Sequence, residues 1–190
     1  MPSYNFEELE VLVVDDNRHM RSLIRDLLRA IGISRVVEAN DGMSGFQQLR
    51  NCEPDVVVTD LMMQPIDGLQ FARMVRNERR SPQPYVPIVM VTGFADKARV
   101  EEARDAGVTE FLAKPVASEA LYARLESIIE RPRPFVRTPD FFGPDRRRRK
   151  NVAPIGAGRR ADDQPAAETV SDRLSLELPQ TTTAPGAVRT

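Results

Sequence analysis

Acidic, hydroxyl and amino side chains follow four short apolar runs of the sequence, at the point where each run ends. They are Asp15 with Asp16, Asp60, Thr92 and Lys114. In a parallel sheet the carboxyl ends of the strands share one edge, and ligand sites of α/β proteins form at that edge. We therefore expect these side chains to converge on one site, with three carboxylates for a cation and two groups for an anion.

The residue types at this edge predict phosphoryl chemistry. Three carboxylates close together repel one another unless a cation compensates them, and oxygen ligands suit Mg²⁺. Lys114 and Thr92 could hold phosphate oxygens beside that ion. Asp60 lies between these groups in chain order, so it is the best candidate for a nucleophile that forms an acyl phosphate. The simpler alternatives are that Asp16 caps a helix and that Asp60 ends a strand at water.

Strand and helix patterns alternate along the first 130 residues. Apolar runs predict buried strands at residues 11–14, 36–37, 56–58, 88–91 and 110–112. Each run precedes a stretch with helical periodicity. The expected helix starts are Asp16, Asn40 or Asp41, Asp67, Asp96 and Ser118, and the expected ends include Gly32 and Gly107. Five such units predict one doubly wound α/β domain over residues 1–130.

The composition changes after residue 130. Residues 131–190 contain eight prolines and four glycines and show no lasting apolar periodicity, which predicts a disordered Pro/Arg-rich tail. The charge changes as well: residues 1–130 have 15 Lys and Arg against 21 Asp and Glu, a net −6. Residues 131–190 have 12 against 7, a net +5. The sequence therefore predicts an acidic domain with a basic tail.

Five consecutive cations stand out in this tail. They are Arg146, Arg147, Arg148, Arg149 and Lys150, and they follow Phe141 and Phe142. Arginine forks bind phosphates and stack on bases, so one hypothesis is a site for nucleic acid, a nucleotide or an acidic protein. The alternatives are a solvated charge run and a contact with the chain's own acidic domain.

Other features bound the cellular setting. Cys52 is the single cysteine, so no internal disulfide is expected and a reducing cytoplasm is the natural location. The first ten residues are acidic and lack the apolar segment of a signal peptide. No apolar run approaches the ~20 residues that span a bilayer, so we expect no membrane insertion.

Five motifs form one set, namely Val13-Val14-Asp15-Asp16, Val58-Thr59-Asp60, Asp67-Gly68, Val91-Thr92-Gly93 and Phe111-Leu112-Ala113-Lys114-Pro115. Together they resemble the receiver domain of bacterial two-component response regulators. Met20-Arg21 and Leu27-Leu28-Arg29 are particularly similar to the single-domain, chemotaxis-type regulators. The resemblance covers about residues 8–130. It implies a flavodoxin-like fold, a five-stranded parallel sheet of order 2-1-3-4-5 with five helices.

The resemblance also implies roles for individual residues. Asp60 would accept a phosphoryl group from a histidine kinase or a phosphotransfer protein. Mg²⁺ would be held by Asp15, Asp16, Asp60 and the backbone carbonyl of Met62. Lys114 would contact the phosphoryl group, and Thr92 with Phe111 would form the switch pair. The Lys114-Pro115 bond would be cis.

The sequence departs from the family's common pattern at a few positions. Gln64 stands where a proline is usual, and Pro65 follows it. Met62 and Phe94 occupy two positions near the acceptor that are often polar. Phe111 replaces a tyrosine or histidine, so its ring has no polar tip. We expect a changed loop shape and an intact site.

Three functions compete at this level. The first is a single-domain response regulator, a phosphorylation switch rather than an enzyme, that signals to an unknown protein target. The second is an adaptor whose arginine-rich tail binds a nucleotide, nucleic acid or acidic partner, with the receiver as docking module. The third is a phosphatase with an aspartyl nucleophile, which Met62 disfavours because such enzymes commonly have a second aspartate there.

Overall fold

The computed structural model describes residues 6–93 and 97–147. A five-stranded parallel sheet forms the centre, in the order β2-β1-β3-β4-β5. The elements are β1 (Glu10–Val14), α1 (Arg18–Ala30), β2 (Arg35–Ala39), α2 (Gly42–Asn51), β3 (Val56–Asp60), α3 (Gly68–Val75), β4 (Ile88–Thr92), α4 (Lys97–Asp105), β5 (Glu110–Ala113) and α5 (Ser118–Glu130). The predicted flavodoxin-like fold and strand order are confirmed. None of the described helices is long and apolar enough to span a membrane.

The sheet separates two apolar layers because successive side chains of a strand point to opposite faces. Val11 and Val13 of β1 face one layer, which is completed by residues of α1 and α5. Leu12 and Val14 face the other layer, which is completed by residues of α2, α3 and α4. β3 and β4 are buried along their whole length. Their continuous apolar sequences therefore reflect burial on both faces.

Helix starts and ends follow the expected residues in most cases. Asp41 and Asp67 cap α2 and α3 with their side chains. Gly32 and Gly107 adopt the left-handed conformation after α1 and α4, with φ of 101° and 89°. Asp96 lies outside the described residues.

Two predicted caps were wrong. The cap of α1 is Asn17, whose side chain accepts from the N–H groups of His19 and Met20. Asp15 Oδ1 accepts from the N–H of Asn17 at 2.8 Å, so the turn runs one residue further than expected before the helix begins. Ser118 is the first residue of α5, and Ala117 before it gives no side-chain cap.

The predicted disorder from residue 131 was wrong for the first part of that segment. β6 (Phe135–Thr138) and β7 (Phe141–Pro144) form an antiparallel pair, which we call the C-terminal hairpin. Phe135 is buried, and its ring lies 5.1 Å from that of Tyr85. The prolines of this segment led to the prediction of disorder. They lie at the strand ends and in the turn, where a missing N–H is tolerated. Residues 148–190 lie outside the described residues.

Candidate functional site

The side chains predicted to converge do so at the carboxyl edge of the sheet. β1, β3, β4 and β5 are neighbours, so the residues at their ends are brought together. Lys114 Nζ lies 2.9 Å from Asp60 Oδ1 and 3.8 Å from Asp15 Oδ2. The N–H of Lys114 donates to the Thr92 carbonyl at 2.8 Å, which fixes the segment after β5 against the end of β4. The ammonium therefore sits between two buried carboxylates.

The three carboxylates form a group that suits a divalent cation. Oxygens of Asp15, Asp16 and Asp60 lie within 4.8 Å of one another. Asp15 and Asp60 are buried, whereas Asp16 is exposed, so a hydrated ion could reach the group from the Asp16 side. Asp15 Oδ2 is buried and has no hydrogen-bond partner. The Lys114 ammonium, 3.8 Å from this oxygen, offsets only one of the three negative charges, so the carboxylate oxygens fit Mg²⁺.

Burial governs the titration of Asp15. Burial raises the pKa of Asp15 above its ordinary value, the hydrogen bond from Asn17 opposes this rise, and the nearby charge of Asp60 adds to it. Burial and the charge of Asp60 therefore both favour the protonated form of Asp15.

Two hydrogen bonds position the acidic residues, one to the side chain of Asp60 and one to the backbone of Asp15. The N–H of Leu61 donates to Asp60 Oδ1 at 2.9 Å. The guanidinium of Arg21 donates to the Asp15 carbonyl at 2.7 Å, which ties α1 to the turn after β1. Arg21 also lies 3.3 Å from Glu38 at the end of β2. Sequence reasoning missed this role of Arg21, although its position in the first turn after the aspartates was the available signal.

The loop after Asp60 passes very close to the acceptor. A β-carbon on Gly68 would lie 2.2 Å from the Asp60 carbonyl oxygen, so only glycine fits there. The N–H of Gly68 donates to the Leu61 carbonyl at 2.9 Å and closes the loop. Met62 lies on this loop with 58% of its surface exposed. The assignment of its carbonyl as a metal ligand stays a prediction.

Two cis proline linkages lie in the loops around the site. The Lys114-Pro115 bond is cis, as predicted from the family resemblance. The Gln64-Pro65 bond is also cis, which sequence reasoning did not anticipate. Gln64 and Pro65 are the residues at which the sequence departs from the common family pattern.

The predicted switch residues lie on neighbouring strands. Thr92 is buried at the end of β4, and Phe111 on β5 pairs in register with Met90. The ring of Phe111 is half-buried against the layer formed with α2, α3 and α4. The carbonyl of Phe111 accepts from Arg124 Nε at 2.8 Å, which connects β5 to α5. Their action as a switch stays a prediction, and Phe94 lies outside the described residues.

Arg146 and Arg147, the two residues of the arginine run that the structure describes, do not join this site. Arg146 forms an ion pair with Asp105 at the end of α4. Arg147 is exposed beside it, and residues 148–150 lie outside the described part of the chain. Of the three hypotheses for the run, contact with the acidic domain is therefore observed for Arg146.

Comparisons with known proteins agree on one family. The model of the response regulator receiver domain matches residues 11–126. Chemotaxis protein CheY of Pseudomonas aeruginosa is 35% identical over 123 residues, which cover 65% of this chain and 98% of that protein. Chemotaxis protein CheY1 of Helicobacter pylori is 34% identical over 122 residues, which cover 64% of this chain and 97% of that protein.

Solved structures give the same result. The chemotaxis protein CheY4 of Vibrio cholerae superimposes with a TM-score of 0.58 at 28% identity, covering 63% of this chain and 98% of its own. The matched residues 11–126 include every residue of the carboxylate and lysine site, and they end before the C-terminal hairpin. The chain belongs to the family of response regulator receiver domains, the signalling modules of two-component systems.

Proposed function

We propose that Asp60 accepts a phosphoryl group from a histidine kinase or a phosphotransfer protein, and that this event changes the contacts of the domain with a downstream protein. The observation that carries the proposal is the position of Lys114 Nζ, 2.9 Å from Asp60 Oδ1 and beside two further carboxylates. A nucleophilic carboxylate, a cation site and an ammonium within one small region are the parts that phosphoryl transfer to aspartate requires.

The two oxygens of Asp60 have different roles in this proposal. Oδ1 accepts hydrogen bonds from Leu61 N–H and Lys114, which hold the carboxylate in one orientation. Oδ2 would attack the phosphorus, forming an O–P bond as the N–P bond of the donor phosphohistidine breaks. The bonding pair of electrons returns to the imidazole nitrogen of the donor.

Several groups would then stabilise the phosphoryl oxygens. Mg²⁺, held by Asp15, Asp16, Asp60 and the Met62 carbonyl, would supply positive charge to the transferred group. Lys114 would contact a second oxygen and the Thr92 hydroxyl a third, which is the electrostatic arrangement that such transfers need. Phe111 would move into the space that Thr92 vacates. The domain would thus assist its own phosphorylation and dephosphorylation while acting as a signalling module.

The pathway follows from the relatives only as a proposal. Those cited are chemotaxis proteins by name, so regulation of motility in the cytoplasm is the first process to examine. The output would leave through protein contacts of the receiver.

The deciding experiment is labelling with a small phosphodonor in the presence and absence of Mg²⁺. Wild-type protein should gain a phosphate that hydroxylamine and alkali remove, as expected of an acyl phosphate, only with Mg²⁺, and Asp60→Asn should gain none. Asp26→Asn is the matched control, because Asp26 is an exposed carboxylate on α1 that pairs with Arg25. Labelling of the Asp60→Asn variant at the wild-type rate would overturn the proposal.

A further inference from the structure

The C-terminal hairpin is an addition to the receiver and is held at the opposite end of the sheet from Asp60. It begins beyond residues 11–126, the part that matches the family. Arg133 lies 3.2 Å from Glu110, the first residue of β5. Because the amino ends of the parallel strands lie far from their carboxyl ends, the hairpin and the phosphoryl site occupy separate surfaces.

The hairpin packs against a buried arginine, Arg76. The guanidinium of Arg76 donates to the carbonyls of Gly107, Pro84 and Val86, at 2.9, 2.7 and 2.8 Å. The ring of Phe135 lies over this guanidinium, 5.1 Å away. Three hydrogen bonds and a stacked ring fix Arg76, so the hairpin has a rigid attachment.

The two faces of the hairpin contact two different turns of the domain. Phe142 packs against Tyr85, in the segment before β4, with ring centroids 5.3 Å apart. Gly143 packs against the turn after α4, since a β-carbon there would lie 3.1 Å from the Cα of Gly107. The hairpin therefore packs between these two turns, which fixes the orientation of its outer side chains.

One exposed arginine flanks each face, and each of the two lies over a phenylalanine ring and pairs with a carboxylate. Arg137 lies over the ring of Phe142 at 5.6 Å and pairs with Glu78. Arg146 lies over the ring of Phe141 at 4.5 Å and pairs with Asp105. The side chains of Arg137 and Arg146 are 56% and 49% exposed, so an external ligand can reach both.

Further cations surround these two arginines. Arg79 and Arg80 are exposed next to Glu78, and Arg147 is exposed next to Arg146. Together with Asp140 and Asp145 of the hairpin segment, these two carboxylates neutralise only part of the positive charge of the five arginines.

We propose that the C-terminal hairpin and the adjacent Arg79 and Arg80 bind the phosphodiester backbone of a single-stranded nucleic acid, and that Glu78 and Asp105 are displaced from their arginines on binding. Exposed ion pairs contribute little free energy, so phosphates can replace them. Guanidiniums form two parallel hydrogen bonds to a phosphate, and the aromatic rings beneath keep them extended.

The other anionic partners fit this surface less well. An acidic peptide would exchange one carboxylate for another, with no gain over Glu78 and Asp105. A lipid surface binds better when apolar side chains enter it. Among the described residues the large exposed apolar side chains are Leu23, Met43 and Met62, none of which belongs to the hairpin.

The first test measures binding of the full chain to a fluorescent 20-nucleotide single strand at increasing salt. With about five phosphates neutralised, affinity should fall about 100-fold between 50 and 200 mM salt. The triple variant Arg137→Gln, Arg146→Gln, Arg147→Gln should lower the slope of log affinity against log salt by about 2. An unchanged thermal unfolding curve shows that this variant is folded; if it is not, the single variant Arg147→Gln should lower the slope by about 0.7.

The second test uses the displaced carboxylates. Asp105→Asn should raise affinity for the oligonucleotide about twofold to fivefold, because an exposed competing ion pair is removed. Asp26→Asn is the matched control: both aspartates are exposed, at 62% and 64%, both pair with an arginine, and both changes alter net charge equally. Asp26→Asn should leave affinity within about 1.5-fold, since α1 lies away from the hairpin.

Three results would overturn the proposal. They are no salt-dependent binding of the oligonucleotide, equal gains from Asp105→Asn and Asp26→Asn, and binding of polyglutamate or anionic lipid vesicles as tightly as the oligonucleotide. None of these measurements depends on phosphorylation of Asp60, so the two proposals stand or fall separately.

Discussion

Gly68 lies so close to Asp60 that a β-carbon at position 68 would be 2.2 Å from the Asp60 carbonyl oxygen. Gly68→Ala must therefore shift the backbone of the acceptor or the start of α3. We expect a loss of about 1–3 kcal/mol in the free energy of unfolding. Labelling by a small phosphodonor should slow about 10-fold or more, because the carboxylate is misplaced.

Gly93→Ala is the matched control for this glycine, because a β-carbon at Gly93 would meet no atom within 4 Å. Urea denaturation and labelling rates should distinguish the two variants. Equal behaviour of the variants would show that the close approach does not constrain the site.

Lys114→Gln should change metal binding and phosphorylation in opposite directions. The ammonium lies between Asp15 and Asp60, so it repels a cation that approaches the same carboxylates. Its removal should tighten Mg²⁺ binding by about 1 kcal/mol, roughly fivefold, in isothermal titration calorimetry. Phosphorylation should nevertheless slow, because one contact to the phosphoryl oxygens is lost. Weaker Mg²⁺ binding by this variant would show that the lysine orients the ligands more than it repels the ion.

Asp15→Asn should stabilise the metal-free protein at neutral pH. The folded-state pKa of Asp15 is raised above its ordinary value of 3.8, mainly by burial. The cost of burying this charge is therefore present above the folded-state pKa and disappears as the pH falls through it towards 3.8. The free energy of unfolding should rise by about 1 kcal/mol at pH 7, and the gain should vanish near pH 4.

Asp16→Asn is the control for this pH dependence, because Asp16 is exposed and should give no gain. At saturating Mg²⁺ the wild-type protein should become more stable than Asp15→Asn, since only the wild-type protein then gains binding free energy on folding. A constant gain across the pH range would assign the effect to packing instead of charge.

Phosphorylation should alter amide exchange on the side of the domain that contains Phe111. If the Thr92 hydroxyl moves towards the phosphoryl group, the ring of Phe111 can fill the vacated space at no polar cost. Beryllofluoride, which mimics the phosphoryl group, should change hydrogen exchange in residues 97–107 and 118–129. Thr92→Ala should reduce the change, and Asp60→Asn should abolish it. The same exchange in all three proteins would leave this switch without support.

The convergence at the carboxyl edge could be predicted because it depends on topology alone. Once five βα units are recognised, Asp15, Asp60, Thr92 and Lys114 must lie at neighbouring strand ends. Distances could not be predicted in the same way. The contact of Gly68 with the Asp60 backbone and the bond from Arg21 to the Asp15 carbonyl depend on how loops pack.

The C-terminal hairpin was hidden for a different reason. Its composition, rich in proline and arginine, is typical of disorder, and its two strands have only four residues each. Its stability comes from partners far away in sequence, namely Tyr85, Arg76 and Glu110. The composition of a segment indicates only its own structural propensity. Here the tertiary contacts outweigh that propensity and stabilise the two strands.

Phe135→Ala tests whether the hairpin contributes to the stability of the receiver. Phe135 is buried between Arg76 and Tyr85, so truncation should cost about 2–4 kcal/mol of unfolding free energy and increase exchange in residues 135–144. Phe141→Ala is the control, because Phe141 is half-buried on the other face and should cost under about 2 kcal/mol. Asp60 labelling should stay within about twofold in both variants, since the site lies at the opposite end of the sheet. A strong loss of labelling in Phe135→Ala alone would instead show that the hairpin and the acceptor site are coupled through β5.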